Sequence, residues 1–237
     1  MSSVMRNKDG IKVAIPLKTN SVRVPNKNLR PFSKGQSLFD IKAEQLLKVF
    51  APSDVYVSSE NPEVERIAAQ YGFNFLLRDV ALTRSTAREN QIVSSIVKAI
   101  PGKPDILWAQ VTQPLFDEFE RLMRVYENLD AKYDSIVVVR RVRHHLLDGN
   151  GNPLNFNFGY WHKISQELPS LYEVTWAAFV MRRAMLEQAW YQIGRTPYLY
   201  ETDAPLVDVD TEMDFRVAGV LYEHYGRLAR PEKEATA

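Results

Sequence analysis

Residues 13–28 read VAIPLKTNSVRVPNKN, from Val13 to Asn28, and this stretch decides what kind of sheet the chain builds. Val13, Ala14 and Ile15 form an apolar run bounded by Pro16, the mark of a buried strand. The chain then turns polar and cationic without taking up a helical period. A strand that empties into such a loop is a place to hold phosphates. Lys18, Arg23 and Lys27 bring positive charge, while Asn20, Ser21, Asn28 and the backbone N–H groups suit non-bridging phosphate oxygens. Pro16 and Pro25 fix φ at two points and stiffen the loop. A basic surface loop with no ligand is the plainer reading of the same residues. Leu38, Ile41, Leu46, Leu47 and Phe50 then recur at helical spacing, so the loop feeds a helix over 38–50.

Outward from this stretch the chain alternates. Strands are expected at Ile11–Pro16, Asp54–Ser58, Phe73–Leu77, Asp105–Gln110, Ser135–Arg140 and Ala177–Val180. Helices are expected at Glu63–Tyr71, with Gly72 as its stop, and at Asn90–Ile100, Phe116–Leu129, Arg183–Gln192 and Glu212–Arg227. This pattern predicts an α/β fold, Rossmann-like, with a mostly parallel sheet covered by helices on both faces. In such sheets a ligand lies beyond the carboxyl ends of the strands, where the loop after the first strand also lies. The stretch 141–171 interrupts the alternation. Its Gly and Asn residues predict a hairpin-like surface excursion, and Phe156, Phe158, Tyr160 and Trp161 within it predict packing against something.

Thirty basic and 29 acidic residues leave a formal charge of +1, so no overall field favours nucleic acid or an anionic membrane, and any anion must be bound locally. The chain has no cysteine, which excludes disulfides, thiolate metal sites and a cysteine nucleophile. The N-terminus lacks an apolar signal core and no apolar run approaches the length of a membrane span, so a soluble, cytoplasmic protein is expected. A length of 237 residues suits one domain over 1–237, ending in a polar tail. No zinc-site spacing occurs among the four His.

The second chemical signal is Leu206 to Phe215, LVDVDTEMDF. Alternation along Val207, Asp208, Val209 and Asp210 would put both carboxylates on one face of a strand. Two carboxylates so close repel unless a cation joins them, and such a hard-oxygen pair, completed by triphosphate oxygens and water, suits Mg²⁺. A second reading is equally open here: Asp208 faces solvent and Asp210 caps the following helix.

The order P-x-x-x-x-S-x-R-x-P-x-K-N from Pro16 to Asn28 resembles the nucleotide-binding loop of the acylneuraminate cytidylyltransferases, the CMP-acidic sugar synthetases. Lys18 stands for the usual Arg, and Thr19-Asn20 for the usual pair of Gly. Further stretches resemble the family in the same order: Val57 to Gly72, with Glu60 for an Asp; Arg78 with Leu82 and Thr86; Gln110 to Phe116; and Asp208 to Asp214 against D-I-D-[ST]-E-x-D. The resemblance implies CTP as substrate, with its triphosphate along Lys18–Asn28, Arg78 helping to bind the nucleotide and Gln110 beside the base. It implies Asp208 and Asp210 as Mg²⁺ ligands and catalytic groups, with Lys27 stabilising the charge that develops, and an excursion that reaches a second subunit in a homodimer. Departures cluster where the acceptor would bind. Glu173 to Trp176 replaces an R-x-N-G stretch, and Phe116 stands where an Arg is common. The basic run Arg140, Arg141, Arg143, His144, His145 can restore an anion site or serve as a solvated strand end. The acceptor expected is a nonulosonic-like acidic sugar. A phosphonate, a polyol or sugar phosphate, and a non-catalytic nucleotide-binding role are the alternatives.

Overall fold

A computed structural model describes residues 9–21, 23–84 and 86–225. Seven strands form one sheet in the order β3-β2-β1-β4-β6-β5-β7. They are β1 (Ile11–Pro16), β2 (Val55–Ser59), β3 (Asn74–Leu77), β4 (Asp105–Ala109), β5 (Ser135–Val142), β6 (Leu171–Met181) and β7 (Pro197–Glu201). All neighbours pair parallel except β6, which runs antiparallel to both β4 and β5. The mostly parallel sheet expected from the alternation is therefore present, with one reversed strand inside it. Val13, Ala14 and Ile15 in β1 are all fully buried, as a strand covered on both faces requires.

Helices α1 (Leu38–Leu47), α2 (Glu63–Gln70), α3 (Glu89–Ala99), α4 (Phe119–Glu127), α5 (Arg183–Ala189) and α6 (Glu212–Tyr225) complete the layers. One apolar cluster joins Val13, Ile15 and Leu107 to Phe39 of α1 and Phe119 of α4. The other joins Ala14 and Trp108 to Val93 and Ile96 of α3 and Leu186 of α5. Odd and even positions of β1 and β4 thus face opposite layers, as strand alternation dictates. Ser37 caps α1 reciprocally with Asp40. Gly72 ends α2 at φ +72°, where its missing Cβ leaves room for Pro52.

Three expectations change in detail. The segment 205–210 belongs to no strand or helix, and β7, which periodicity did not mark, lies just before it. Strand β6 is longer than expected and bulges near Trp176, whose φ is +57°. The excursion connects the antiparallel pair β5–β6, whose last partners are Val142 and Leu171, and holds one isolated antiparallel bridge, Leu147 to Pro153, and two short 3-10 turns, but its aromatics pack less than expected. Phe156 packs there against His145 and His162, whereas Phe158, Tyr160 and Trp161 are exposed. The expected tail and the end of the last expected helix lie outside the described residues. Among the described residues no helix is long and apolar enough to cross a membrane.

Because β1, β2, β4, β5 and β7 share one direction, their carboxyl ends share one edge of the sheet. The reversed β6 begins there. The loop after β1, the turn 110–116 after β4, and the segment 202–211 after β7 all leave from that edge.

Candidate active site

The loop after β1 is held from beneath. A single carboxylate oxygen of Glu60 accepts from Thr19 N at 2.8 Å, Thr19 Oγ1 at 2.8 Å and Asn20 N at 3.2 Å. Burial works against the charge of Glu60, but these bonds outweigh it and hold the carboxyl below its ordinary range. Its other oxygen meets Arg78 Nη2 at 3.4 Å, and both side chains are almost wholly inaccessible. Arg78 also donates to Leu17 O at 3.3 Å. Lys18 Nζ donates to Thr83 O, Asn28 Nδ2 donates to Lys18 O, and Asn28 is 4% exposed. Lys18, Asn28 and Arg78 thus fix the loop's shape in the unliganded chain, and Glu60 fills the cradle formed by the N–H groups of Thr19 and Asn20.

The open side of the loop carries Ser21, Arg23 and Lys27. Asn26, at φ +55°, turns the chain so that Lys27 points across the edge. Its ammonium donates to Val209 O and lies 3.0 Å from Asp210 Oδ1, while Arg23 Nη2 lies 3.2 Å from Asp210 Oδ2. The first loop and the C-terminal acidic segment therefore meet.

That acidic segment is anchored between its two carboxylates. Val209 is fully buried beside Leu38 and Ala218, and its N–H donates to Thr112 O at 2.9 Å. Asp208 and Asp210 flank this anchor. Thr211, not Asp210, caps α6: its hydroxyl accepts from Asp214 N at 3.2 Å and donates to the Asp214 carboxylate at 2.8 Å. This removes Asp210 from the cap and leaves its carboxylate to Lys27 and Arg23. Asp208 is exposed, as the second reading expected. The protein packed about its carboxylate nevertheless raises its pKa, with the charges of Asp210 and Asp214 adding and a hydrogen bond from Thr112 and the charge of Lys27 opposing. Two neighbouring carboxylates that offer hard oxygens fit a divalent cation completed by substrate oxygens. Among the described residues no three His, Cys, Asp or Glu side chains converge as a ready-made metal shell.

Gln110 leaves β4 at the same edge, its N–H bonded to Ala177 O at 3.2 Å. Thr112, which the sequence reading passed over inside the Gln110 to Phe116 match, holds Val209 through its carbonyl and favours the ionised form of Asp208. Phe116 is fully buried against Phe119, so it is a core residue and no part of an acceptor wall.

Beyond the acidic segment lies a cleft of about 690 Å³, lined by Arg140, Arg143, His144, Glu173, Glu201 and Asp203 among others. Arg140 pairs with Glu173 at 2.7 Å and Arg141 pairs with Glu201 at 3.0 Å. Arg143 enters no ion pair among the described residues. Arg140 Nη1 also reaches Leu206 O at 3.4 Å, which ties this cleft to the Asp208 segment. The acidic pair thus stands between the loop of Lys27 and the arginine-lined cleft.

The sequence pattern of the cytidylyltransferase family matches residues 13–228. Among curated proteins, the chain is 25% identical to N-acylneuraminate cytidylyltransferase B of Danio rerio over 188 residues, which cover 76% of this chain and 44% of that protein. It therefore spans less than half the length of that relative. A CMP:2-keto-3-deoxy-manno-octonic acid synthetase solved with CTP aligns with a TM-score of 0.62 at 14% identity, covering 91% of this chain and 99% of that one. The 4-diphosphocytidyl-2C-methyl-D-erythritol synthase of Anaerococcus prevotii aligns at 0.60 with 11% identity, covering 91% and 97%. The bifunctional IspDF of Campylobacter jejuni aligns at 0.59 with 15% identity, covering 86% and 53%. At such identities the solved structures establish the shared fold. With the family pattern running from β1 through the acidic segment, the chain belongs to the cytidylyltransferase family.

Proposed function

We propose that this protein transfers CMP from CTP to a small acidic acceptor, a nonulosonic-like sugar acid, with release of pyrophosphate. The observation that carries this reading is the meeting of Lys27 with Asp210 and Val209 O, which joins a phosphate-type loop to a pair of carboxylates. In the reaction the acceptor hydroxyl oxygen forms a bond to the α-phosphorus. The bond from that phosphorus to the oxygen bridging to the β-phosphate breaks, pyrophosphate leaves, and the hydroxyl proton passes to water.

Each group has a task in this scheme. The side chains of Ser21 and Arg23 take the triphosphate, with Lys18, Asn20, Asn28 and Arg78 shaping the loop and Gln110 beside the base. Lys27, on a stem only 12% exposed, follows the charge that grows on the leaving group. Asp208 and Asp210 hold Mg²⁺, which supplies charge neutralisation at the phosphate oxygens when bound. The acceptor occupies the arginine-lined cleft, with its acid group on Arg143, the cleft arginine that no carboxylate neutralises. The exposed Phe158, Tyr160 and Trp161 form the contact of a homodimer, and the protein works in the cytoplasm.

The test is pyrophosphate release from CTP and Mg²⁺ with sugar acids and phosphonates in parallel, with Asp210→Ala as control. Release with a sugar acid, lost in Asp210→Ala, supports the reading. Release only with a phosphonate or a sugar phosphate moves the acceptor to that class. No release with any acceptor, while CTP still binds, overturns the proposed reaction.

A further inference from the structure

Lys42 lies on α1 with no solvent exposure and, among the described residues, no ion pair. Its ammonium donates to Gln113 O at 3.1 Å and to Phe116 O at 3.0 Å, and sits 4.9 Å from the ring centroid of Phe119. Burial draws its pKa down to about 7 against the raising influence of Asp117. A site that needed only filling would carry Leu or Met, because an amine buried without a counter-charge is costly unless its hydrogen bonds hold something in place.

What Lys42 holds is the turn after β4. Gln45, one turn further along the same face of α1, donates to Pro114 O at 2.7 Å. From the opposite side Gln113 Nε2 donates to Thr175 O of β6 at 2.6 Å. Residues 113–116 are therefore clamped between a helix and a strand. The residue this clamp presents is Thr112, whose carbonyl takes the N–H of Val209 at 2.9 Å and whose hydroxyl favours the ionised form of the Asp208 carboxylate. A continuous line of contacts runs from Lys42 through the turn to the acidic pair.

We propose that Lys42 is a positioning residue, whose buried amine sets the 110–116 turn so that Thr112 can fix Asp208 and Val209. The proposal rests on the reading above that Asp208 and Asp210 are the working carboxylates. A lysine that merely fastens α1 to its neighbours would support the whole sheet and have no selective effect on the acidic segment.

The experiment compares wild type, Lys42→Met, Thr112→Val and the double variant, all as full chains. Two quantities are read: hydrogen exchange at the Val209 amide, and kcat and KM for CTP in pyrophosphate release. Lys42→Met is expected to lower Val209 protection about tenfold while β1 and β4 amides hold theirs. The expected kinetic effect is a fall in kcat of about tenfold with KM for CTP within about twofold, and less than about twofold further loss when Thr112→Val is already present. Protection lost equally across the sheet, or losses in kcat that multiply in the double variant, overturn the proposal. If Lys42→Met does not fold, Gln45→Leu removes the parallel bond to Pro114. A Val209 amide that exchanges at the wild-type rate in Gln45→Leu would also overturn the proposal. Selective loss of Val209 protection in a protein that releases no pyrophosphate with any acceptor keeps the positioning role and brings down the proposed reaction. An active enzyme whose Val209 exchange ignores Lys42 does the reverse.

Discussion

Lys27 lies 3.0 Å from Asp210, 183 residues later in the chain. The contact joins the first loop of the sheet to the segment entering the last helix, so the two chemical signals of the sequence form one place. Without substrate, Lys27 and Arg23 serve as counter-ions for Asp210. In the proposed reaction the same cations turn to phosphate oxygens. Lys27→Met is therefore expected to reduce kcat by about 10²-fold or more, the scale on which removal of one preorganised charge acts on a transition state. Steady-state kinetics with CTP checks this, and a change confined to KM would assign Lys27 to ground-state binding alone.

Burial, with the charge of Asp210 adding to it, raises the Asp208 carboxyl above its ordinary range, and this predicts how the fold responds to a divalent ion. A ligand that binds only the folded chain stabilises it by RT ln(1 + [L]/Kd). Thermal unfolding with and without Mg²⁺ is expected to show a rise in Tm for wild type in the presence of CTP and none for Asp208→Asn/Asp210→Asn. In the absence of metal the double variant, relieved of its like charges, is expected to melt no lower than wild type. A double variant that still gains stability from Mg²⁺ would place the ion elsewhere.

Among the described residues Glu60 and Arg78 form the one ion pair whose two side chains are both nearly sealed from water. Removing one partner of a buried pair leaves the other uncompensated, at about 3–5 kcal/mol. Glu60→Gln keeps the shape and can still accept from Thr19 and Asn20, but it removes the charge facing Arg78. The variant is expected to unfold at clearly lower denaturant and to show a higher KM for CTP, since the loop's floor loosens. Urea titration and kinetics read the two effects. An unchanged KM would mean that the loop's working side does not depend on its floor.

Lys42 gives a pH signature. Its pKa in the folded chain is about 7 against an ordinary 10.5, so between these values the unfolded chain holds a proton that the folded chain does not. The contribution of this group to stability therefore rises with pH across the window from about 7 to about 10.5, by at most about 1.4 kcal/mol per unit. It is least favourable below 7, where the buried amine is charged in both states. The difference in unfolding free energy between wild type and Lys42→Met, measured from pH 6 to pH 10, is expected to shift in favour of wild type as pH rises. Parallel curves would show that Lys42 titrates normally.

The sequence made some of this legible and hid the rest for physical reasons. Strand β1 was visible because both its faces are buried and its residues are uniformly apolar. Asp208 and Asp210 were visible as a short alternating pattern, but that pattern fitted a metal pair and a helix cap equally. Thr211 and Asp214 take the cap through reciprocal bonds, which no spacing of the two aspartates reveals. Strand β7 was hidden because it is short, begins at a proline and lies at the sheet's edge, where Leu199 is exposed, so it lacks a buried strand's signature. Glu60 read as a conservative stand-in for an aspartate; that its carboxylate fills the loop's own N–H cradle depends on the β1–β2 register. Thr112 and Lys42 act through backbone carbonyls, a role that no side-chain spacing reveals.

Arg143 separates the acceptor side of the site from the nucleotide side. Arg140 and Arg141 face the same cleft, but each is held by a glutamate of a neighbouring strand, so an acid group that took either would leave that glutamate unpaired. Arg143 has no such partner among the described residues, and binding an anion there breaks no existing pair. Arg143→Gln is expected to raise the acceptor's KM about 10-fold or more, the scale of one charge-assisted hydrogen bond, with KM for CTP within about twofold. Glu173→Gln, which frees Arg140, is expected to act in the opposite sense and lower the KM of an acidic acceptor. Both variants are measured by pyrophosphate release at saturating CTP across a range of acceptor concentration. An Arg143→Gln enzyme that handles its acceptor as wild type does would move the acid group out of this cleft, since no other arginine on its wall is free to receive it.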